Sequence, residues 1–105
     1  MAKYIVFYFN GNQPQSPEAA KAHFERYRQW LNQLGEAVVS PMNPVKNTHT
    51  ILPDGKTEQG SRHQLSGYTI LEADSIEQAV DMARTCPFLE IGGVLEVAEL
   101  IEMSG

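Results

Sequence analysis

The chain has 105 residues, the usual size of one domain, and its 42% apolar and 20% charged residues are ordinary for a soluble globular protein able to bury a core. A net charge of −5 and a pI near 5.0 argue against a nucleic-acid backbone or an anionic membrane surface as a partner, because both need concentrated positive charge. One cysteine closes no intramolecular disulfide, so nothing calls for an oxidising compartment.

Lys3–Phe9 is β-branched and aromatic, then breaks at Asn10-Gly11, which predicts a strand. Tyr4, Val6 and Tyr8 alternate with Ile5, Phe7 and Phe9, so both faces are apolar and both ask for cover. This run is too short to span a bilayer, and Asn10-Gly11-Asn12 is no cleavage region. A cytoplasmic protein is expected.

From Ser16 the signals are helical. Ser16 can cap, Pro17 suits the first helical position and Gly35 stops the run. Ala20, Phe24, Tyr27, Leu31 and Leu34 make an apolar stripe. Glu36–Ser40 follows as a short strand, and Thr48–Leu52 as another before the turn Pro53-Asp54-Gly55. Residues 56–64 show no dependable period and predict a loop, a candidate lid. Ser66–Ala73 is strand-like. Ser75 with Gln78 resembles a capping box for a second helix carrying Ile76, Ala79, Val80 and Ala83 on one face. Pro87 discourages helix at Cys86, and Gly92-Gly93 leads into a last strand, Val94–Met103.

The order is β-α-β-β-β-α-β. Two helices cannot cover both faces of such a sheet, so the pattern predicts an α+β, ferredoxin-like single domain over residues 1–105 with its helices on one face. The second face then needs a second sheet. A homodimer with sheets face to face is the expected partner arrangement.

Candidate chemistry is sparse. His23 is offset by about 60° from the centre of the first helix's stripe at about 100° per residue, on the flank of Trp30 and Leu34. There it borders the core and is the candidate general acid or base. His49 shares a strand face with Ile51 and could line a pocket. Arg62 and His63 in the polar segment could close over an anionic ligand. Tyr8 on the first strand, Tyr68 on the later strand, and Cys86 and Phe88 around Pro87 complete the candidate ligand-binding set. Cys86 follows a helix C-terminus, where the dipole disfavours a thiolate, and reads as a small buried residue. The histidines and the cysteine lie in no metal-ligand spacing, and no phosphate-binding glycine loop is present. No metal or cofactor is expected. The aromatic first strand lacks the basic, aromatic partner motif of an RNA-recognition sheet.

Gly67–Ala83 ("GYTILEADSIEQAVDMA"), Cys86-Pro87-Phe88 and Gly92–Val97 ("GGVLEV") resemble the YCII-related family, including its DGPF branch. The first strand and Leu34–Pro44 fit it too. The resemblance implies a ferredoxin-like subunit forming a dimeric α/β barrel, with a cleft between sheet and helices. In the YciI-like branch it implies a histidine on the first helix paired with an aspartate before the Pro-aromatic pair. Here Cys86 stands at the aspartate position, and counting back from Gly35 puts Phe24 at the histidine position, next to His23. The other branch's Asp-Gly-Pro-Phe signature is reduced to Asp54-Gly55. The expected protein binds a small organic ligand without that acid–base pair. The alternatives are a lyase- or hydrolase-type enzyme using His23, and a structural or regulatory interaction domain.

Overall fold

The computed structural model describes residues 2–103. Strand β1 (Ala2–Phe9) runs into helix α1 (Pro17–Leu34), a tight turn (Gly35–Ala37) and β2 (Val38–Pro44). A hairpin of β3 (His49–Ile51) and β4 (Thr57–Gln59) comes before β5 (Leu65–Ala73). Helix α2 (Ile76–Ala83), a helical turn (Pro87–Ile91) and β6 (Val94–Glu99) complete the chain. The main sheet has the order β2-β5-β1-β6, and its strand pairs are all antiparallel. With the hairpin set aside this is the ferredoxin-like arrangement, two βαβ halves whose first strands lie side by side at the centre.

The helix boundaries follow the capping chemistry. Ser16 Oγ accepts the Ala19 N–H at 3.0 Å, and Gly35 adopts φ 58° while its N–H bonds Leu31 O. Ser75 Oγ accepts the Gln78 N–H, but Gln78 Oε1 reaches back to the Asp74 N–H instead of that of Ser75. The capping box is thus displaced by one residue on its return bond.

Alternation along the central strands divides the sheet. Tyr4, Val6 and Tyr8 of β1 and Thr69, Leu71 and Ala73 of β5 are buried against the helices. Ala79 and Ala83 are the buried residues of α2, small enough to bring that helix close to the sheet. Ile5, Phe7, Phe9 and Ile70 occupy the opposite, open face and stay half-buried. Trp30 is the one buried residue of α1, and its indole Nε1 donates to Met82 O at 3.0 Å, tying α1 to the end of α2.

Three expectations need correction. Residues 56–64 are not a plain loop: Thr57–Gln59 pairs with His49–Ile51, and Gly60 N–H to Thr48 O extends the ladder. Leu52 N–H to Lys56 O closes the turn, with Asp54 Oδ1 accepting the Lys56 N–H. All three β4 residues are exposed, so no apolar alternation could announce the strand. Glu36 and Ala37 lie in the turn before β2, and the strand runs on through two prolines to Pro44. β2 is an edge strand whose register shifts twice, the setting in which a sheet tolerates proline. The last strand ends at Glu99, opposite Tyr4, because β1 has almost run out; one further bond joins Leu100 N–H to Lys3 O.

Candidate functional site

The helix face that packs is rotated from the expected stripe. Phe24 is 44% exposed while Trp30 is 3% exposed. At about 100° per residue, His23, Tyr27, Trp30 and Leu34 share one side of α1, about 50° from the centre of the stripe drawn through Phe24. His23 therefore turns toward the protein interior.

A cavity of about 300 Å³ opens between α1, the end of β1, the bulged part of β2 and the start of β5. Tyr8, His23, Phe24, Tyr27, Met42 and Phe88 supply its main side chains, and Asn43, Ser66, Gly67 and Tyr68 border it from the strands. Two local features create the space. The β2–β5 register breaks between Ser40 and Asn43, which lifts the edge strand away. Gly67 accommodates that irregular strand: a Cβ there would sit 2.9 Å from Asn43 O and 3.2 Å from Pro44 Cα.

The same break presents Pro41 O as an acceptor. Thr69 Oγ1 donates to it at 2.7 Å, and Tyr27 Oη also reaches it at 3.2 Å. Tyr8 Oη lies 2.7 Å from Tyr27 Oη and is hydrogen-bonded to Thr69 Oγ1; Tyr27 Oη is 3.0 Å from Thr69 Oγ1. Three hydroxyls and one carbonyl thus form a closed cluster at the cavity wall. Burial raises the pKa of both tyrosines, so they stay neutral phenols able to donate or accept. Around them Trp30, Tyr27, Tyr8 and Phe88 stack in sequence, with centroid separations of 5.6, 6.1 and 5.2 Å.

His23 faces the cavity with its Nδ1 buried and, among the described residues, without a hydrogen-bond partner. Burial lowers its pKa, the Arg26 guanidinium adds to the effect, and Glu90 opposes it. The ring is held neutral near pH 7, a state that can take up a proton. Neither Asp nor Glu lines the cavity, so no carboxylate there orients the imidazole.

Among the other expected residues, Tyr8, Phe88 and Tyr68 adjoin the cavity. Tyr68 stands opposite Phe7, so the cleft and the open sheet face meet at this residue. Cys86 does not line it. The side chain is 2% exposed in the core cluster with Val6, Tyr8 and Leu71, because the extended backbone before Pro87 turns it inward and sends Phe88 to the cavity. Burial pushes its thiol up to about 11, far from a reactive thiolate. His49 lies exposed in β3, Arg62 pairs with Glu58 at 3.3 Å on the surface, and the exposed His63 meets the edge of Phe9. These three lie outside the cleft. Tyr27, Thr69, Met42 and Asn43 were missed as site residues. Thr69 carried a signal: it is in phase with Leu71 and Ala73, so its hydroxyl had to be buried and paired.

No cluster of three His, Cys, Asp or Glu side chains that could hold a metal ion occurs among the described residues. No helix among them is long and apolar enough to cross a membrane.

Such a domain, a ferredoxin-like α+β layer with a cleft between its first helix and its sheet, defines a fold class. Within that class the chain belongs to the YCII-related domain family, whose model matches residues 4–104. No curated protein matches it. Among solved structures it is similar to the 5-chloro-2-hydroxyhydroquinone dehydrochlorinase of Burkholderia phenoliruptrix AC1100, solved with 2,5-dihydroxybenzoquinone, at 15% identity and a TM-score of 0.52 over 90% of each chain. At that identity the likeness is one of fold.

Proposed function

We propose that this protein binds a small, flat organic molecule in the cleft, as a cytoplasmic homodimer and without a His–Asp pair. The observation that carries the reading is the aromatic cavity of about 300 Å³ with the Tyr8–Tyr27–Thr69 hydroxyl cluster on its wall. A dry apolar cavity of about 150 Å³ already accepts benzene, so this volume suits a ring with substituents. Apolar walls with a few placed polar atoms are the usual makeup of a small-molecule site.

The dimer is supported by the apolar open face, and by shape. The Cα radius of gyration is 15.2 Å with a thickness of 18 Å, against about 13 Å expected for a compact chain of this length. A slab of one helix layer on one sheet leaves Ile5, Phe7, Phe9 and Ile70 on a face that a second copy can cover.

The test is a thermal-shift screen over single-ring phenols, quinones, aromatic acids and keto acids. A ligand at about a hundred times its Kd adds about 2.7 kcal/mol of stability, a readily measured rise in Tm. Tyr27→Phe and Phe88→Ala should each weaken the hit. A screen in which no compound stabilises the fold would refute the reading.

A second reading has its own observation, the neutral imidazole of His23 with Nδ1 aimed inward and unpartnered. It makes the protein an enzyme that moves a proton on such a molecule, with His23 as base. The solved protein similar in fold is itself named a dehydrochlorinase, which supports keeping an enzyme reading open for this fold. In that case His23→Gln removes turnover while ligand binding persists; a variant with full turnover excludes His23.

A further inference from the structure

We infer that the ligand of this cleft carries a carboxylate, or a similarly planar oxyanion, seated in a second cavity on the far side of His23; this rests on the small-molecule reading above. A cavity of about 260 Å³ lies between the loop after β1 and the first turns of α1. His23 lines both cavities. Helical spacing sets the order around it. Tyr27, four residues on, lies to one side of His23, and Arg26, three residues on, lies to the other. A molecule with its ring on Tyr27 and Phe88 that extends past His23 meets Arg26.

The chemistry of the second cavity differs from the first. Its lining includes the amides of Asn12, Gln13 and Gln15 together with Arg26. Among the described residues lining either cavity, Arg26 alone bears a permanent charge. Guanidinium and primary amides are the donors that match a planar oxyanion. The loop is held in place: Asn12 N–H bonds Ile91 O at 2.9 Å, and the Asn12 side chain lies over Gly92, whose φ of 78° favours glycine. The backbone at Asn12 is thereby anchored before a ligand arrives.

Glu90 is the competitor. Its Oε1 lies 3.5 Å from Arg26 Nε, with both side chains about half exposed, so the pair is weak and engages one edge of the guanidinium. An incoming carboxylate takes the terminal nitrogens and feels repulsion from Glu90. His23 is neutral in the free protein, a carboxylate bound beside it acts to raise its pKa, and its unpartnered Nδ1 can donate to that carboxylate.

Matched acid and amide probes test this by titration calorimetry or amide chemical shifts: phenylacetate against phenylacetamide, and phenylpropanoate against phenylpropanamide. The acid of each pair should bind about tenfold tighter than the amide, the worth of a charge-assisted bond over a neutral one. R26Q should bring that ratio near one by weakening the acid far more than the amide. E90Q should raise the ratio by tightening the acid alone, which a merely structural role for Glu90 would not do. Equal affinity of acid and amide, or a ratio insensitive to R26Q, overturns the anionic subsite and leaves the cleft reading standing. If none of the four probes nor any compound of the wider screen binds, the cleft reading falls and takes this inference with it.

Discussion

At the scale of single residues, His23 shows how one side chain's surroundings make a measurable consequence. Burial and Arg26 lower its pKa below the usual 6.5. The folded state therefore binds its proton at a lower pH than the unfolded state does. Well above pH 6.5 neither state is protonated and the folded protein keeps its full stability; as pH falls through that value the unfolded chain takes up the proton first, and stability declines until the folded imidazole titrates as well. Denaturant melts of the wild type and His23→Gln should diverge in this window, with the wild type losing more stability between pH 7 and pH 5; parallel curves would count against a buried, neutral imidazole. That His23 bordered the core was legible from helical spacing. Its place on the cavity lining was not, because Trp30 packing against α2, a contact distant in sequence, sets the rotation of α1. Cys86 is the converse case. Its burial could be read from its place after a helix end, but not that Pro87 would deliver Phe88 to the cavity in its stead.

Among the elements, the turn between α2 and β6 carries the site's far wall. The Phe88 ring is enclosed by glycines from two segments: a Cβ on Gly11 would come within 2.6 Å of two of its ring atoms, and one on Gly93 within 2.2 Å of two others. Gly93→Ala should cost about 2 kcal/mol, because a ring between two segments can yield only by leaving its place. It should also lower affinity for any cleft ligand. Gly11→Ala should behave alike, and chemical denaturation with a ligand titration checks both. If Gly93→Ala is neutral in both measurements, the ring is not held as described. The Gly-Gly pair was visible as a lead into a strand, whereas the ring it accommodates belongs to tertiary packing. The β3–β4 hairpin marks the limit of periodicity. A strand exposed on both faces has no buried side to alternate with, and its pairing is set by the Pro53–Gly55 turn and the ladder.

For the whole molecule, flatness is the feature with consequences. The sheet is covered on one face, and Phe7 stands near the middle of the other, paired with Tyr68 and Glu96 on its two neighbouring strands. A dimer formed through this face should run at about twice the monomer mass in light scattering, and Phe7→Glu should convert it to a folded monomer by placing a charge in an apolar interface. A wild-type monomer at micromolar concentration would exclude the arrangement.

Strand alternation, helix spacing and capping residues determined, from the sequence by itself, an α+β ferredoxin-like domain with two helices on one face; the resemblance to the YCII-related family rested separately on Gly67–Ala83, Cys86-Pro87-Phe88 and Gly92–Val97. Those signals are local, so they survive in a string of residues. The tertiary structure alone decided which residues meet. The β2 register break frees Pro41 O for Thr69, brings Tyr8 and Tyr27 to the same hydroxyl cluster, and opens the cavity beside them. Hydrogen bonds between positions 8, 27, 41 and 69 have no period and no motif; they exist only once an edge strand has yielded and a helix has settled its rotation.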